Sequence, residues 1–313
     1  MPLKIDCHMH IYESKRHGRW DKTNYEVWEY GEKPGQKFSD YDGDIEDALD
    51  AMKQAGYDHA VAVNLFVVAM ARDMAIEALP AGLEGGDREK ALAEIDATMG
   101  DRLRAFNLWL CDTVAGHPIT PYASVDPNVL SPEENVEHLR DLVANHGVRG
   151  IKLHPVVQRF AADDPRMLPI YEACIEMGIV VLTHTGPARS GEKLGEPLAF
   201  APVLRKYPDL RLVMAHMGGR VWHQSAEIAA AFPQVHFDLC EIIAWLGATD
   251  GPSPEDFGRL IAGIGPERVL MGTDFPWYDL DKTAEQVMAI PGLSTDQKEG
   301  ILGANAARFM GLG

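Results

Sequence analysis

The chain has 313 residues, 46% hydrophobic and 24% charged, a globular composition that excludes a disordered or collagen-like polymer and suffices for one large domain or two. Its formal net charge of -18 argues against non-specific binding to nucleic acid or an anionic membrane, since both are polyanions. No apolar run approaches a membrane span and Met1–His10 lacks the basic start and apolar stretch of a signal peptide, so a cytoplasmic protein is expected.

Leu3–His10 reads as the first strand, and it aims His8 and His10, two apart, at one face. Two neutral imidazoles on a rigid strand make half of a divalent-metal site. Ile11–Asp42 follows as a long loop rich in aromatics (Tyr12, Trp20, Tyr25, Trp28, Tyr30, Phe38, Tyr41), expected to act as a lid or a subunit contact. Further strand candidates are His59–Leu65, Thr120–Val125, Arg149–His154, Ile179–His184, Arg211–His216, His236–Cys240 and Val269–Asp274. Helical patterns lie between them at Ile45–Gln54, Asp87–Thr98, Pro132–Asn145, Pro165–Met177, Leu198–Lys206, Val221–Ala231, Pro254–Ile264 and Asp281–Ala289. Ser131-Pro132-Glu133-Glu134 carries a cap, a first-turn proline and first-turn carboxylates; Gly56 and Gly178 stand just past helix ends. Alternating strands and helices favour parallel pairing through right-handed crossovers. Eight such units predict a single α/β domain over residues 1–313, a closed (β/α)8 TIM barrel. An open doubly wound sheet is the competing architecture, but no GxGxxG or GxxxxGK[ST] turn follows any strand. Cys7, Cys111, Cys174 and Cys240 are scattered without a CxxC pair and read as free thiols in a reducing compartment.

Several strands end in a metal-capable residue: His184 after Ile179–Thr183, His216 after Arg211–Ala215, and Asp274 after Val269–Thr273. Lys152 and His154 share one parity on the fourth strand. A polar group that ends a buried strand is costly without a partner, and barrel strands carry their chemistry at the C-terminal mouth. His8, His10, His184, His216 and Asp274 are therefore expected to converge there. Val180, Leu182, Leu212, Met214 and Leu270 share their parity and are expected to fill the barrel below. The remaining histidines (His17, His59, His117, His138, His146, His223, His236) read as solvated or structural.

The stretches Asp6-Cys7-His8-Met9-His10, Gly150-Ile151-Lys152-Leu153-His154-Pro155, Leu182-Thr183-His184-Thr185-Gly186, Ala215-His216-Met217-Gly218-Gly219, Met271-Gly272-Thr273-Asp274-Phe275-Pro276 and the closing helix Gly300–Phe309 together resemble the amidohydrolase superfamily. The resemblance is to the amidohydrolase-2 branch, which also contains aminocarboxymuconate-semialdehyde-type decarboxylases. It implies that His8, His10 and His184 bind one divalent metal, zinc before manganese, with Asp274 as a further ligand or a close partner of the metal water. It implies an acid/base role for His216 and a homodimer. A strand-four lysine is carboxylated in binuclear relatives; Lys152, in Lys-Leu-His-Pro, fits the mononuclear form, and Lys152 and His154 are then mouth residues near the substrate or structural ones.

Such a site lowers the pKa of a bound water from about 15.7 towards about 7. The first expectation is hydrolysis of an ester, lactone or amide of a small, carboxylated substrate, with Asp274 handling the proton. The same apparatus also serves non-oxidative decarboxylation of an unsaturated or aromatic carboxylate, and a non-catalytic metal-binding barrel is a third reading. Arg189 and Arg220 are candidate carboxylate clamps; Trp277 and Tyr278 are candidate pocket walls. Asp6 is either a support for a ligand or a solvated carboxylate.

Overall fold

The computed structural model describes residues 2–30 and 38–312, with the backbone alone over 25–30. Its strands are β1 (Ile5–Met9), β2 (His59–Ala62), β3 (Ile119–Ser124), β4 (Gly150–Leu153), β5 (Val180–His184), β6 (Leu212–Ala215), β7 (His236–Asp238) and β8 (Val269–Leu270). Each pairs in parallel with the next, in chain order. Three backbone hydrogen bonds join the last strand region to the first: Cys7 N–H to Met271 O (2.9 Å), Asp274 N–H to His8 O (2.8 Å) and His10 N–H to Phe275 O (2.7 Å). Parallel neighbours need a crossover between them, and helices supply it, so this is the expected (β/α)8 barrel.

Five helices, α1 (Lys15–Tyr30), α2 (Ile45–Ala55), α3 (Val68–Glu77), α4 (Gly85–Val114) and α5 (Pro132–Asn145), precede the fourth strand. α5 begins where its cap requires: the Ser131 side chain accepts from Glu134 N–H and the Glu134 side chain from Ser131 N–H. Gly56 and Gly178 end their helices in the left-handed conformation, at φ 68 and 67. Three helices depart from expectation, and the simplest case is α3, where no helical pattern was read. Residues 11–42 were expected as a loop but contain α1, whose first turn carries no acidic residue to announce it. Tertiary contacts hold it instead: Tyr12 Oη donates to Asp21 (2.5 Å), Arg19 pairs with Asp42, and Lys22 Nζ donates to the carbonyls of Ser39 and Tyr41. Residues 31–37 of that segment and the side chains of Tyr25, Trp28 and Tyr30 lie outside the described residues. The pattern at Asp87–Thr98 continues to Val114, because Met99, Leu103, Leu110 and Val114 bury a further face.

The core has two layers. Inside the barrel lie Ile5, Cys7, Val61, Val63, Tyr122, Val180, Leu182, Val213, Ala215 and Leu270, closed from below by Ala306, Met310 and Leu312 of the C-terminal segment. Outside, alternate residues of the same strands pack against the helices. Gly150 makes room for Tyr122: a Cβ there would stand 2.4 Å from the tyrosine ring. Val180, Leu182 and Leu270 face inward as expected, but Leu212 and Met214 belong to the outer layer, and Val213 and Ala215 fill the interior. His216 therefore has the wrong parity for the mouth, and it arrives there by another route. No helix among the described residues is long and apolar enough to cross a membrane.

Candidate metal centre and active site

Three backbone devices bring the polar residues together at the mouth. The first is a bulge in β1: Asp6 pairs with Ala60 and Met9 with Ala62, so two residues of β1 oppose Val61 alone. Cys7 thus faces the interior while Met9 faces the outer layer, and His8 and His10 both reach the mouth. The second is left-handed backbone. Among the described residues only five non-glycines have positive φ, and four of them, His216 (59), Met217 (47), Glu241 (61) and Asp274 (60), stand at strand ends of this mouth. Such conformations cost about 1–3 kcal/mol each. The turn at His216 corrects its parity, and its N–H is held by Asp238 Oδ1 at 2.9 Å. The third is Gly272, where a Cβ would stand 2.8 Å from the Cβ of His8; a larger residue there would push that imidazole away.

His8 is the centre of the cluster. Its Nδ1–H donates to Asp238 Oδ2 (2.9 Å), which leaves the Nε2 lone pair facing the mouth; there Lys152 Nζ donates to it at 2.9 Å. Asp274 Oδ1 lies 3.1 Å from His10 Nε2 and 3.4 Å from His8 Nε2. His216 Nδ1 stands 3.1 Å from Cys240 Sγ and 3.5 Å from Glu241 Oε2. The ring of His184 stacks on that of His154 at 3.7 Å and lies 4.7 Å from that of His216. Beneath them Asp6 is buried and accepts from the N–H groups of His8 and Thr273, both at 3.0 Å, and from the Thr273 hydroxyl. It supports the cluster rather than facing solvent.

Burial sets the protonation of these groups. It lowers the pKa of His8, His10 and His184, the last strongly, and takes His216 down to about 4. All four imidazoles are neutral at pH 7 and have lone pairs to offer. Burial alone would raise Asp274, but the surrounding His8, His10 and His216 outweigh it and hold the carboxyl far below the usual range. Asp238 is likewise lowered against its burial by His8 and His216. The Cys240 thiol, pushed up by burial, stays protonated and donates to Asp238 (2.9 Å).

This donor set fits one divalent cation. His8, His10 and Asp274 offer donor atoms that all lie within 4.8 Å of one another, as do His216, Glu241 and Asp274, and His8, His216 and Cys240. The carboxylate behind His8 is the arrangement that orients a metal-binding imidazole. His184, expected as the third imidazole ligand, belongs to none of these three groups among the described residues, but it lines the same cavity as His8, His10 and Asp274, with its ring stacked on that of His154.

A cavity of about 270 Å³ opens over the cluster. Lys152, His154 and Trp277 line it, and so does His17, which is exposed, in keeping with the expectation of a solvated histidine. Tyr12, Glu13 and Asp21, from the segment expected as a lid or subunit contact, form part of the wall. Arg189 and Arg220 stand apart from this cavity. They line a second one, of about 330 Å³, which shares His184, His216 and Glu241 with the first; Arg220 also lies 3.8 Å from Asp250. The sequence reading missed Asp238, Cys240 and Glu241. Applied to β7, where Phe237 and Leu239 face outward, the strand-end parity rule would have found Asp238 and Cys240. It also missed Phe66, Arg102 and Phe106, which line the cavity from α4 and the loop before α3; nothing in local sequence marks them.

Comparison with known proteins gives the site its context. A 2-amino-3-carboxymuconate-6-semialdehyde decarboxylase of Dictyostelium discoideum is 25% identical over 210 residues of alignment, which cover 58% of this chain and 58% of the relative. The chain thus spans under two thirds of that relative's length. The 5-carboxyvanillate decarboxylase of Sphingomonas paucimobilis has a similar structure (TM-score 0.65, 17% identity, all of both chains covered). So does a dihydroxybenzoic acid decarboxylase of a Polaromonas species, with bound manganese and 2-nitroresorcinol (TM-score 0.66, 18% identity, 100% of this chain and 98% of that one). At such identities the structural likeness establishes the barrel. The expectation of ester, lactone or amide hydrolysis is corrected here: the relatives are decarboxylases, and strand-end ligands are indifferent to which bond breaks. A family model described as Amidohydrolase matches residues 5–312, and the chain belongs to that family.

Proposed function

We propose that the protein is a metal-dependent, non-oxidative decarboxylase of a small aromatic or unsaturated carboxylate. The observation that carries this reading is the apposition of a neutral-histidine and carboxylate donor cluster to a cavity walled by aromatic side chains, among them Trp277, whose ring lies edge-on to His10 at 5.4 Å. The decarboxylase relatives support the choice of bond. The groups that would hold the metal are His8, His10 and Asp274, with His184 to complete the set. When bound, the metal supplies a Lewis acid that draws electron density from the substrate. Imidazole-rich ligation favours zinc; manganese, bound in the Polaromonas relative, is the competing ion.

The chain's own residues do the rest. Decarboxylation needs a proton at the carbon that bears the carboxylate, after which the carbon–carbon bond breaks and CO2 leaves. Asp274, grouped with His216 and Glu241 and ionised, is the carboxylate we assign to take a proton from a water in the cavity and pass it to that carbon, with the neutral His216 beside it to relay it. Lys152, in contact with His8, supplies positive charge for an anionic substrate, and Arg189 and Arg220 on the adjoining cavity draw the carboxylate in. Trp277 and Tyr12 exclude water from the ring. The part of the expected lid that carries Tyr12, Glu13, His17 and Asp21 lines the cavity and acts as its cover. The buried free thiols Cys7, Cys111, Cys174 and Cys240 suit a reducing cytoplasm.

The test is direct. Protein of measured metal content is incubated in D2O with a panel of hydroxybenzoates and unsaturated acids. The expected result is CO2 release with one deuterium at the carbon that lost it. Turnover of esters or lactones with incorporation of labelled water oxygen, and no CO2 from any acid, would overturn the reading.

A further inference from the structure

The cavity over the donor cluster has an apolar arm that decarboxylation of a compact acid does not need. Phe66, Met70 and Met74 line it from the loop before α3 and from α3; Phe106 and Trp109 line it from α4. None of these five is fully buried, and Met74 is 50% exposed, so they wall a cavity rather than fill the core. Phe66 and Phe106 have ring centroids 5.7 Å apart, and Phe106 and Trp109 5.8 Å: a continuous aromatic surface of the kind that receives a flat, apolar body.

One cation stands among these apolar groups. Arg102 of α4 lines the same cavity, with its guanidinium 5.8 Å from the centroid of Phe66 and its Nη1 donating to Ala71 O at 3.4 Å. The chain has 47 acidic and 29 basic Lys and Arg residues, and nearby Arg72 and Arg104 are both paired with carboxylates. Arg102 makes no ion pair among the described residues. A planar fork of donors beside an aromatic surface, left without a carboxylate in an acidic protein, is suited to a bidentate anion on a ligand.

We infer that Arg102 determines specificity by binding a second carboxylate at the end of the substrate remote from the reacting carbon, with the apolar body between them against Phe66 and Phe106. The substrate class is thus a dicarboxylate with an aromatic or conjugated spacer. This rests on the decarboxylase reading for the reacting end only. Arg189 and Arg220, on the other cavity, remain with the carboxylate that is lost.

Binding is measured without turnover, by calorimetry and by quenching of tryptophan fluorescence, on the metal-loaded full chain. The probes are 3-(4-carboxyphenyl)propanoate and its monoacid match, 4-propylbenzoate, which keeps the carboxylate on the ring and lacks the remote one. The diacid is expected to bind at least about tenfold more tightly, the scale of one charge-assisted bidentate contact. Arg102→Leu should bring the diacid down to the affinity of the monoacid, and Arg102→Lys should restore part of the difference. Equal affinity of the two probes for the native protein, or a preference that survives in Arg102→Leu, overturns the inference. The outcomes separate from those of the decarboxylase reading. A preference lost in Arg102→Leu stands whether or not CO2 is released, and CO2 release without such a preference removes only the role of Arg102.

Discussion

The two ends of the barrel each hold a histidine, buried at the mouth and half-buried at the floor, that loss of solvent strips of its proton, and only one end is built for chemistry. At the mouth His216 is pushed down to about 4; at the floor His236, on the first residue of β7, is pushed to about the same value. His236 stacks on Phe309 at 3.6 Å and donates from Nδ1 to Gln234 O. No donor cluster forms around it among the described residues. His216 instead meets Asp238, Cys240, Glu241 and Asp274, on left-handed backbone that costs stability to maintain. A neutral imidazole is therefore common to both ends; convergence of several donors, at the expense of strain, marks the mouth.

Substitutions at the two ends should fail in different ways. Asp274→Ala should reduce CO2 release on the order of 10³-fold, as expected for loss of a proton-transfer group, and release the metal, while the melting temperature of the metal-free protein stays close to native. Retention of both metal and rate would show that the mouth is not the site. Met310→Ala, at the floor, should do the reverse: a buried methionine inside the barrel is worth about 2–5 kcal/mol, read by denaturant unfolding, with metal content unchanged. The floor also predicts a pH dependence. The ordinary value of the His236 ring, 6.5, falls to about 4 in the fold through burial. Between those values the unfolded chain takes up a proton that the folded ring refuses. Stability is thus complete above 6.5 and declines as pH falls towards 4, by up to about 3 kcal/mol. His236→Phe should remove that part of the decline; an unchanged profile would show that the floor histidine carries none of it. The smallest effect belongs to Asp238→Asn, which keeps a partner for His8 but weakens its orientation. Metal affinity should drop by about 10- to 100-fold, measured by competition with a chelator. An unaltered affinity would show that the carboxylate behind His8 has no part in holding the metal.

Much of this was legible in the residues and some was not. All eight strands could be read because short β-branched runs between capped helices leave few other arrangements, and His184 could be placed at the mouth because it ends a regular strand, where parity is rigid; Asp274 reaches the mouth four residues past the end of β8. Parity misplaced Leu212 and Met214, and His216 reaches the mouth only because left-handed backbone at the strand end reverses the alternation; the β1 bulge that carries His8 and His10 inward leaves no mark in the sequence. Asp238 was legible and missed. Arg102 was not legible, because α4 approaches the mouth through its packing with α3 and β3, contacts remote in sequence. The choice between hydrolysis and decarboxylation was also out of reach, because it depends on the cavity wall and not on the ligands.

Local chemistry in the chain by itself determined the barrel, the end of it that carries the polar residues, and the pair His8 and His10 as the start of a metal site: periodicity, caps and strand-end polarity are written in neighbouring residues. Only the tertiary structure decided which donors meet, which imidazoles stack on one another, and which cation faces the cavity. Those outcomes depend on bulges, positive φ angles and helix packing, where a displacement of an ångström decides whether two side chains touch.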